Sequence, residues 1–302
     1  MSDYMAIHTP VLMQEVMGFF NKHPGKSKFI DGTAGEGGHT KLLLETFPTS
    51  KVLMIDRDKA ILDIALTRLS NYGSRIRGVN SNFSEISQME VSSFFENEYV
   101  HGILLDLGIS TYHIDESGRG FAIKNDEILD MRLDNHEDIS AYNVVNFYNK
   151  EKLNRIFKEF GEENWSKKIV EMILEYRKKA KIATTKQLST IVEKTIPRKF
   201  WPIKIHPATR IFQAIRIEVN KELEHIENGL GKLLQFLDLG GIMCVISFHS
   251  LEDRIVKNFM KSYLKNEDYQ ILTKKPILPS ESEIHKNRAS RSAKLRVIQR
   301  IG

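Results

Sequence analysis

The sequence predicts an α/β protein on a largely parallel sheet, interrupted by an all-helical stretch. Three observations carry this. Short apolar runs alternate with helical periodicity over the first third of the chain, the alternation stops after Asp106, and it resumes beyond the closely spaced Pro197, Pro202 and Pro207.

The first strand is expected at residues 28–31, the next at 51–56, 75–79 and 101–106, with helices at 40–47 and 59–71; Asp58 is placed to cap the second helix. From residue 115 to 205 the pattern is helical with no convincing strand. This assigns residues 111–205 to an inserted helical domain and residues 1–110 with 206–302 to the sheet-bearing domain. The sheet then resumes with a long helix from 208 to about 237, a strand at 241–247, a helix at 251–264 and late strands near 269–272 and 294–299.

At 302 residues, with 41% hydrophobic and 27% charged residues, the chain can bury a sizeable core and has neither a disordered nor a fibrous composition. No apolar run approaches the roughly 18 residues of a membrane span, and residues 1–9 lack a basic flank before an apolar stretch, so a cytoplasmic protein is expected. Cys244 is the only cysteine, which excludes an intramolecular disulfide and a cysteine zinc cluster; it sits in an apolar run and reads as a buried strand residue. The ten histidines show no ligand-like spacing, and no metal is expected. A net charge of +5 suits a polyanionic partner, and Lys286, Arg288, Arg291, Lys294, Arg296 and Arg300 cluster near the C-terminus without an acid among them.

Functional signals gather where strands end. The segment Asp31-Gly32-Thr33-Ala34-Gly35-Glu36-Gly37-Gly38-His39 follows the first strand, and its glycines let backbone approach a ligand closely. Its spacing is not the G-x-G-x-x-G of a dinucleotide loop, which disfavours a nicotinamide dehydrogenase. The second strand ends in Asp56, 19 residues beyond Gly37, where a carboxylate can accept hydrogen bonds from ribose hydroxyls. The fourth delivers Asp106 and Gly108 to the same edge. Three acids at three strand ends define a nucleoside-type cofactor site.

The chain resembles the bacterial 16S ribosomal RNA cytosine-N4 methyltransferases, the MraW family, nearly end to end. The matching blocks are His8-Thr9-Pro10-Val11-Leu12, the loop Asp31 to His39, Ile55-Asp56-Arg57-Asp58, Leu104 to Ser110, Arg119-Gly120-Phe121, Leu129-Asp130-Met131-Arg132, His206 to Arg216, Ser247 to Arg254 and Arg291 to Arg296. The resemblance implies a class I methyltransferase fold, a Rossmann-like mixed seven-stranded sheet with a helical insertion. It also implies S-adenosylmethionine as methyl donor and, as acceptor, a cytidine of the decoding centre in the small ribosomal subunit. The family's cofactor contacts fall on Gly37, Gly38, His39, Asp56, Phe83, Asp106 and the position held by His113, and Asp31 and Gly35 of the glycine loop complete the candidate cofactor site. Up to the His113 position the family usually reads Ser-Ser-Pro-Gln, whereas this chain reads Ser110-Thr111-Tyr112-His113; Ile128 replaces a common proline.

The exocyclic amine of cytosine is a poor nucleophile because its lone pair is delocalised into the ring, so such an enzyme must hold the amino protons on acceptor oxygens and align the nitrogen. Asp106 is the leading candidate on the acceptor side, and the cofactor's methionine end is an equal alternative for it. After the fifth strand, His249 is a second catalytic candidate and Arg254 a substrate contact; Ser250 with Asp253 reads as a capping arrangement. Beyond Pro207, Thr209, Gln213, Arg216 and Asn220 share one helix face without Lys or Glu, a face that suits the active cleft or the seam with the inserted domain; Gln213, Arg216 and Asn220 are with Arg210 the substrate-side candidates. Trp165, Lys167 and Lys168, and further on Arg177, Lys178, Lys179 and Lys181, are candidate phosphate contacts of the insertion. Two rival functions share these features: a DNA amino-methyltransferase, and a non-catalytic RNA-binding or ribosome-assembly module that keeps the fold.

Overall fold

The computed structural model describes residues 10–21 and 27–302; His8 and Thr9 of the first matched block, and the N-terminal stretch read for a leader, lie outside the described residues. The chain divides into two compact units, Met1–Ile109 with Leu223–Gly302, and Ser110–Glu222.

The first unit holds strands β1 (Lys28–Asp31), β2 (Lys51–Asp56), β3 (Ile76–Asn80), β4 (Val100–Asp106), β5 (Leu237–Ser247), β6 (Tyr269–Ile271) and β7 (Lys294–Arg300). They form one sheet in the order β3-β2-β1-β4-β5-β7-β6. The first five pair in parallel, and β7 pairs antiparallel with both β5 and β6. This is the mixed seven-stranded sheet that the family resemblance implies. Chain order reverses between β1 and β4, and in such sheets the crevice at the reversal, beyond the strands' carboxyl ends, receives the ligand. Helices α1 (Met13–Phe20), α2 (Gly38–Thr46), α3 (Lys59–Arg68) and α4 (Gln88–Phe95) belong to this unit.

Central strands are apolar on both faces because each face is covered. One layer packs Leu53, Ile55, Ile103 and Leu105 with Phe83, Phe94 and Phe95. The other packs Phe29, Val52, Met54, Leu104 and Cys244 with Val16, Phe20 and Leu43. Cys244 is fully buried on β5, and burial pushes its thiol well above the usual range.

The second unit contains α5 (Thr111–Asp115), α6 (Ala141–Phe147), α7 (Lys150–Glu159), α8 (Ser166–Lys179), α9 (Thr185–Thr195) and α10 (Thr209–Asn220). Its one β-type pairing among the described residues is an isolated bridge between Ile128 and Thr184. After it the chain continues through α11 (Glu222–Leu234), α12 (Ser250–Ser262) and α13 (Glu281–Lys286).

Two sequence expectations need correction. The long helix from 208 to about 237 is two helices, α10 and α11, broken at Lys221, whose φ of 49° is left-handed. The return from the helical unit falls at 222/223 rather than 205/206, because α10, with Ile211, Phe212, Ala214 and Ile215 buried, packs on α6 and α7 of that unit. Helix α4, unclear from periodicity, is fixed at its start by a capping box between Ser87 and Glu90. Among the described residues no helix is long and apolar enough to cross a membrane.

Candidate functional site

Register brings the strand ends into line. Asp31 of β1 lies opposite Met54 of β2 and Leu104 of β4, and Asp106 of β4 lies opposite Ile246 of β5. The loop after β1 is sewn to its neighbours by backbone: Gly32 N–H donates to Leu104 O at 2.9 Å and Ala34 N–H to Ile55 O at 2.9 Å. Gly32 leaves room for the Leu105 side chain: a Cβ there would stand 2.5 Å from Cδ2 of Leu105, which would have to shift. Gly37, at φ 82°, ends the loop and is the N-cap of α2 without a side-chain cap. The first amide groups of that helix are therefore left for another acceptor.

Asp31 is buried; its Oδ2 accepts from Thr40 Oγ1 at 2.6 Å, while Oδ1 has no hydrogen-bond partner. Burial pushes its carboxyl up to about 6, against the opposing pull of the Thr40 hydrogen bond and of His39. His39 is also buried, and neither ring nitrogen has a hydrogen-bond partner; Nε2 stands 3.5 Å from Oδ2 of Asp106. Oδ1 of Asp106 is likewise buried and unpartnered, and its backbone N–H donates to Thr33 Oγ1 at 2.6 Å. Orphaned buried polar atoms are rare in folded proteins, and three neighbouring side chains carry them here.

Asp56 occupies the end of β2, where Oδ2 accepts from Gly35 N–H and Oδ1 from Asp58 N–H, both at 2.9 Å. It thus clamps the glycine loop. Asp58 is the N-cap of α3, accepting from Ala60 N–H. Phe83 is 9% exposed, and Gly229 of α11 fits against its ring so closely that a Cβ there would lie 2.5 Å from Cε2.

His249, rather than Ser250, is the N-cap of α12, and Glu252, rather than Asp253, is its reciprocal partner. Buried Glu252 accepts from the backbone N–H groups of Phe248 and His249. Nε2 of His249 lies 3.1 Å from Oε1 of Glu252 but is not aligned for a hydrogen bond. Asp253 instead takes Arg296 on both oxygens, so this arginine of the C-terminal basic cluster is buried and paired. Arg254 is exposed on the next turn of α12.

The remaining candidates belong to the helical unit. His113, buried on α5, accepts from Ser110 N–H at 3.1 Å through Nδ1 and packs on Phe121. It fills the third position of a capping box begun by Ser110, the place of glutamine in the family's Ser-Ser-Pro-Gln pattern. On α10, Arg210 donates to Glu162 O, Gln213 to Phe160 O, and Arg216 makes a two-pronged pair with Glu222. Asn220 is 1% exposed and holds Leu133 N–H and Met131 O. The shared polar face thus fastens α10 to loops of its own unit. Arg177 donates to Val145 O, Lys178 pairs with Glu175, and Lys181 lies over the Phe147 ring.

Sequence reasoning missed Thr33, Thr40, Glu252 and Gly229. The first two carry a signal, a hydroxyl within or next to the loop; Glu252 and Gly229 act only through the fold.

The chain belongs to the MraW methylase family, whose model matches residues 5–301. Its relatives include proteins named ribosomal RNA small subunit methyltransferase H. That of Leptospira interrogans is 53% identical over 97% of this chain and 89% of its own length, and that of Persephonella marina 46% identical over 98% and 100%. Among solved structures, a putative methyltransferase from Streptococcus mutans in complex with SAH aligns with a TM-score of 0.44 at 13% identity, covering 98% of this chain and 100% of that one. S-adenosylmethionine is the methyl donor that goes with the family.

Proposed function

We propose that this chain transfers the methyl group of S-adenosylmethionine to N4 of a cytidine in the decoding centre of 16S ribosomal RNA, within the small ribosomal subunit. The names of its relatives support the ribosomal RNA substrate. The observation that carries the site is the trio Asp31, His39 and Asp106, at the ends of β1 and β4 and the start of α2, each with a buried side-chain atom that lacks a hydrogen-bond partner.

The donor set fits the cofactor's chemistry. The methionine end bears cationic sulfonium and ammonium groups, which suit two unpartnered carboxylate oxygens, and a carboxylate, which suits the uncapped amides at the start of α2. Asp31, Gly35, Gly37, Gly38, His39 and Asp106 would hold that end, Asp56 the ribose and Phe83 the adenine, with His113 a further contact. When bound, the cofactor supplies an electrophilic methyl group.

A carboxylate oxygen carries two lone pairs, so beside the cofactor Asp106 also accepts a hydrogen bond from the cytosine amino group, localising its lone pair and orienting N4. His249, the N-cap of α12 just past β5, would take up the proton that N4 loses, and its Nε2 without a hydrogen-bond partner supports that role. On the substrate side the exposed Arg254 serves as a phosphate contact. Arg210, Gln213, Arg216 and Asn220 act one step removed, by holding α10 in its unit.

Mass spectrometry of ribosomal RNA nucleosides tests the reading: a strain lacking the protein should lose one N4-methyl group on a cytidine. Purified small subunits should restore the mark in vitro and duplex DNA should not be modified. An unchanged cytidine profile refutes the substrate assignment, and methylation of duplex DNA favours the DNA amino-methyltransferase.

A further inference from the structure

The mechanism leaves unused a surface of the helical unit, where the start of α8 meets the segment 197–205. Phe200 is 53% exposed and Ile203 fully so. The ring centroid of Trp165 lies 5.3 Å from that of Phe200 at a 47° tilt. Nζ of Lys168 stands 4.9 Å from the Trp165 ring centroid, and Nζ of Lys199 5.1 Å from that of Phe200. Pro197 and Pro202 bracket the segment and stiffen it, while Trp201 anchors it by donating from Nε1 to Ile196 O at 2.8 Å.

Charge distinguishes this surface from the other basic run of the unit. Residues 197–205 contain no acid, and among the described residues Lys167, Lys168, Lys199 and Lys204 form no ion pair. Around Arg177 to Lys181, by contrast, Lys178 is paired with Glu175 and Arg177 is engaged with backbone. The exposed Phe200 ring beside the half-buried Trp165 ring, amid lysines without acidic partners, suits a polyanion with accessible π-faces. A protein partner fits less well, since lysine is depleted at the cores of protein interfaces. A duplex fits less well too, because its bases are already stacked.

We propose that Trp165 and Phe200 form a stacking platform for an unpaired stretch of RNA, with Lys168, Lys199 and Lys204 holding the flanking phosphates. The platform rests on the reading of the substrate as RNA, and it binds nucleotides other than the cytidine that is methylated.

The test uses the full chain, a mixed-sequence single-stranded oligoribonucleotide and a duplex RNA of equal length, followed by anisotropy and tryptophan fluorescence across a salt series. The wild type should prefer the single strand and show quenching on binding. Phe200→Ala should weaken single-strand binding about 5- to 100-fold with little change in salt slope, in line with one lost base–aromatic stack. Lys199→Gln with Lys204→Gln should instead flatten the slope of log K against log salt by roughly 1.4, about 0.7 for each phosphate contact. Unchanged cofactor affinity and melting temperature check that the variants fold. No preference for single strands, or wild-type affinity in Phe200→Ala, overturns the platform. So does loss of small-subunit binding with oligonucleotide binding intact, which would mark the surface as a ribosomal-protein contact. Failure of the substrate reading shows separately, as single-strand binding without methylation of ribosomal RNA.

Discussion

Nε2 of His39 lies 3.5 Å from Oδ2 of Asp106, linking the glycine loop after β1 to the end of β4, while the other oxygen of Asp106 is buried without a partner. That free oxygen is what an acceptor-side role requires. Asp106→Ala should lower single-turnover methyl transfer by about 100-fold or more at saturating cofactor, the scale of losing a group that positions or takes up a proton. Cofactor affinity should fall by less. A defect that vanishes at saturating cofactor would confine Asp106 to cofactor binding.

Asp31 gives the protein a pH dependence of defined sign. Burial raises its folded-state pKa to about 6 from 3.8, so the folded protein holds the proton more tightly than the unfolded chain. The stabilisation is fully present below the unfolded value and is lost as pH rises through about 6. The loss is on the order of 3 kcal/mol, since each tenfold change in proton affinity corresponds to about 1.4 kcal/mol. Denaturant titrations of the cofactor-free protein between pH 4 and 8 should show this decline, and Asp31→Asn should remove it. S-adenosylmethionine affinity should rise over the same window as the carboxylate becomes available to a cation. A pH-independent affinity would take Asp31 out of the cofactor site.

Asp56 carries two loads, the ribose and the loop. Asp56→Ala removes the acceptor of Gly35 N–H as well as the carboxylate proposed for the ribose hydroxyls. Charge-assisted hydrogen bonds of this kind contribute about 1.5–3 kcal/mol each, so calorimetry should record a 10- to 100-fold loss of cofactor affinity. Unchanged affinity in a folded variant would exclude Asp56 from the site.

Much of this site was legible because a parallel strand announces itself twice, by an apolar run and by the acid or glycine at its carboxyl end. Asp31, Asp56 and Asp106 stand at such ends, and β1 and β2 fall at the expected residues. Less local features were not legible. The break at Lys221 lies inside continuous helical periodicity and is marked only by backbone conformation. For Asn220 and Gln213 the choice between cleft and seam stayed open, because a sequence shows that a helix face is polar but not that nearby loops supply partners for it. The tight seat of Phe83 depends on Gly229, far away in the chain.

Asn220 offers a direct separation of buttress from substrate contact. Its side chain satisfies Leu133 N–H and Met131 O in the interior of the helical unit. Asn220→Ala should therefore destabilise the protein by about 1–3 kcal/mol, the cost of leaving buried backbone groups unpaired. At temperatures where the variant is folded, KM for small subunits should stay near the wild-type value. A raised KM at unchanged stability would restore Asn220 to the substrate surface.

Gly229 tests Phe83 without altering any polar group. A Cβ at this position would meet Cε2 and Cδ2 of the Phe83 ring at 2.5 and 2.6 Å and the Ser84 backbone at 3.2 Å. The ring would have to shift. Alanine gains about 1 kcal/mol of helix propensity over glycine, whereas forcing an extra methyl into a packed site costs about 1–3 kcal/mol. Gly229→Ala should thus change global stability by no more than about 2 kcal/mol while displacing the surface proposed for the adenine. S-adenosylmethionine affinity should fall several-fold in calorimetry, and Phe83→Leu should reproduce the loss without the clash, since it removes the aromatic face outright. Wild-type cofactor affinity in both variants would make Phe83 a core residue only, and the adenine would then need another wall.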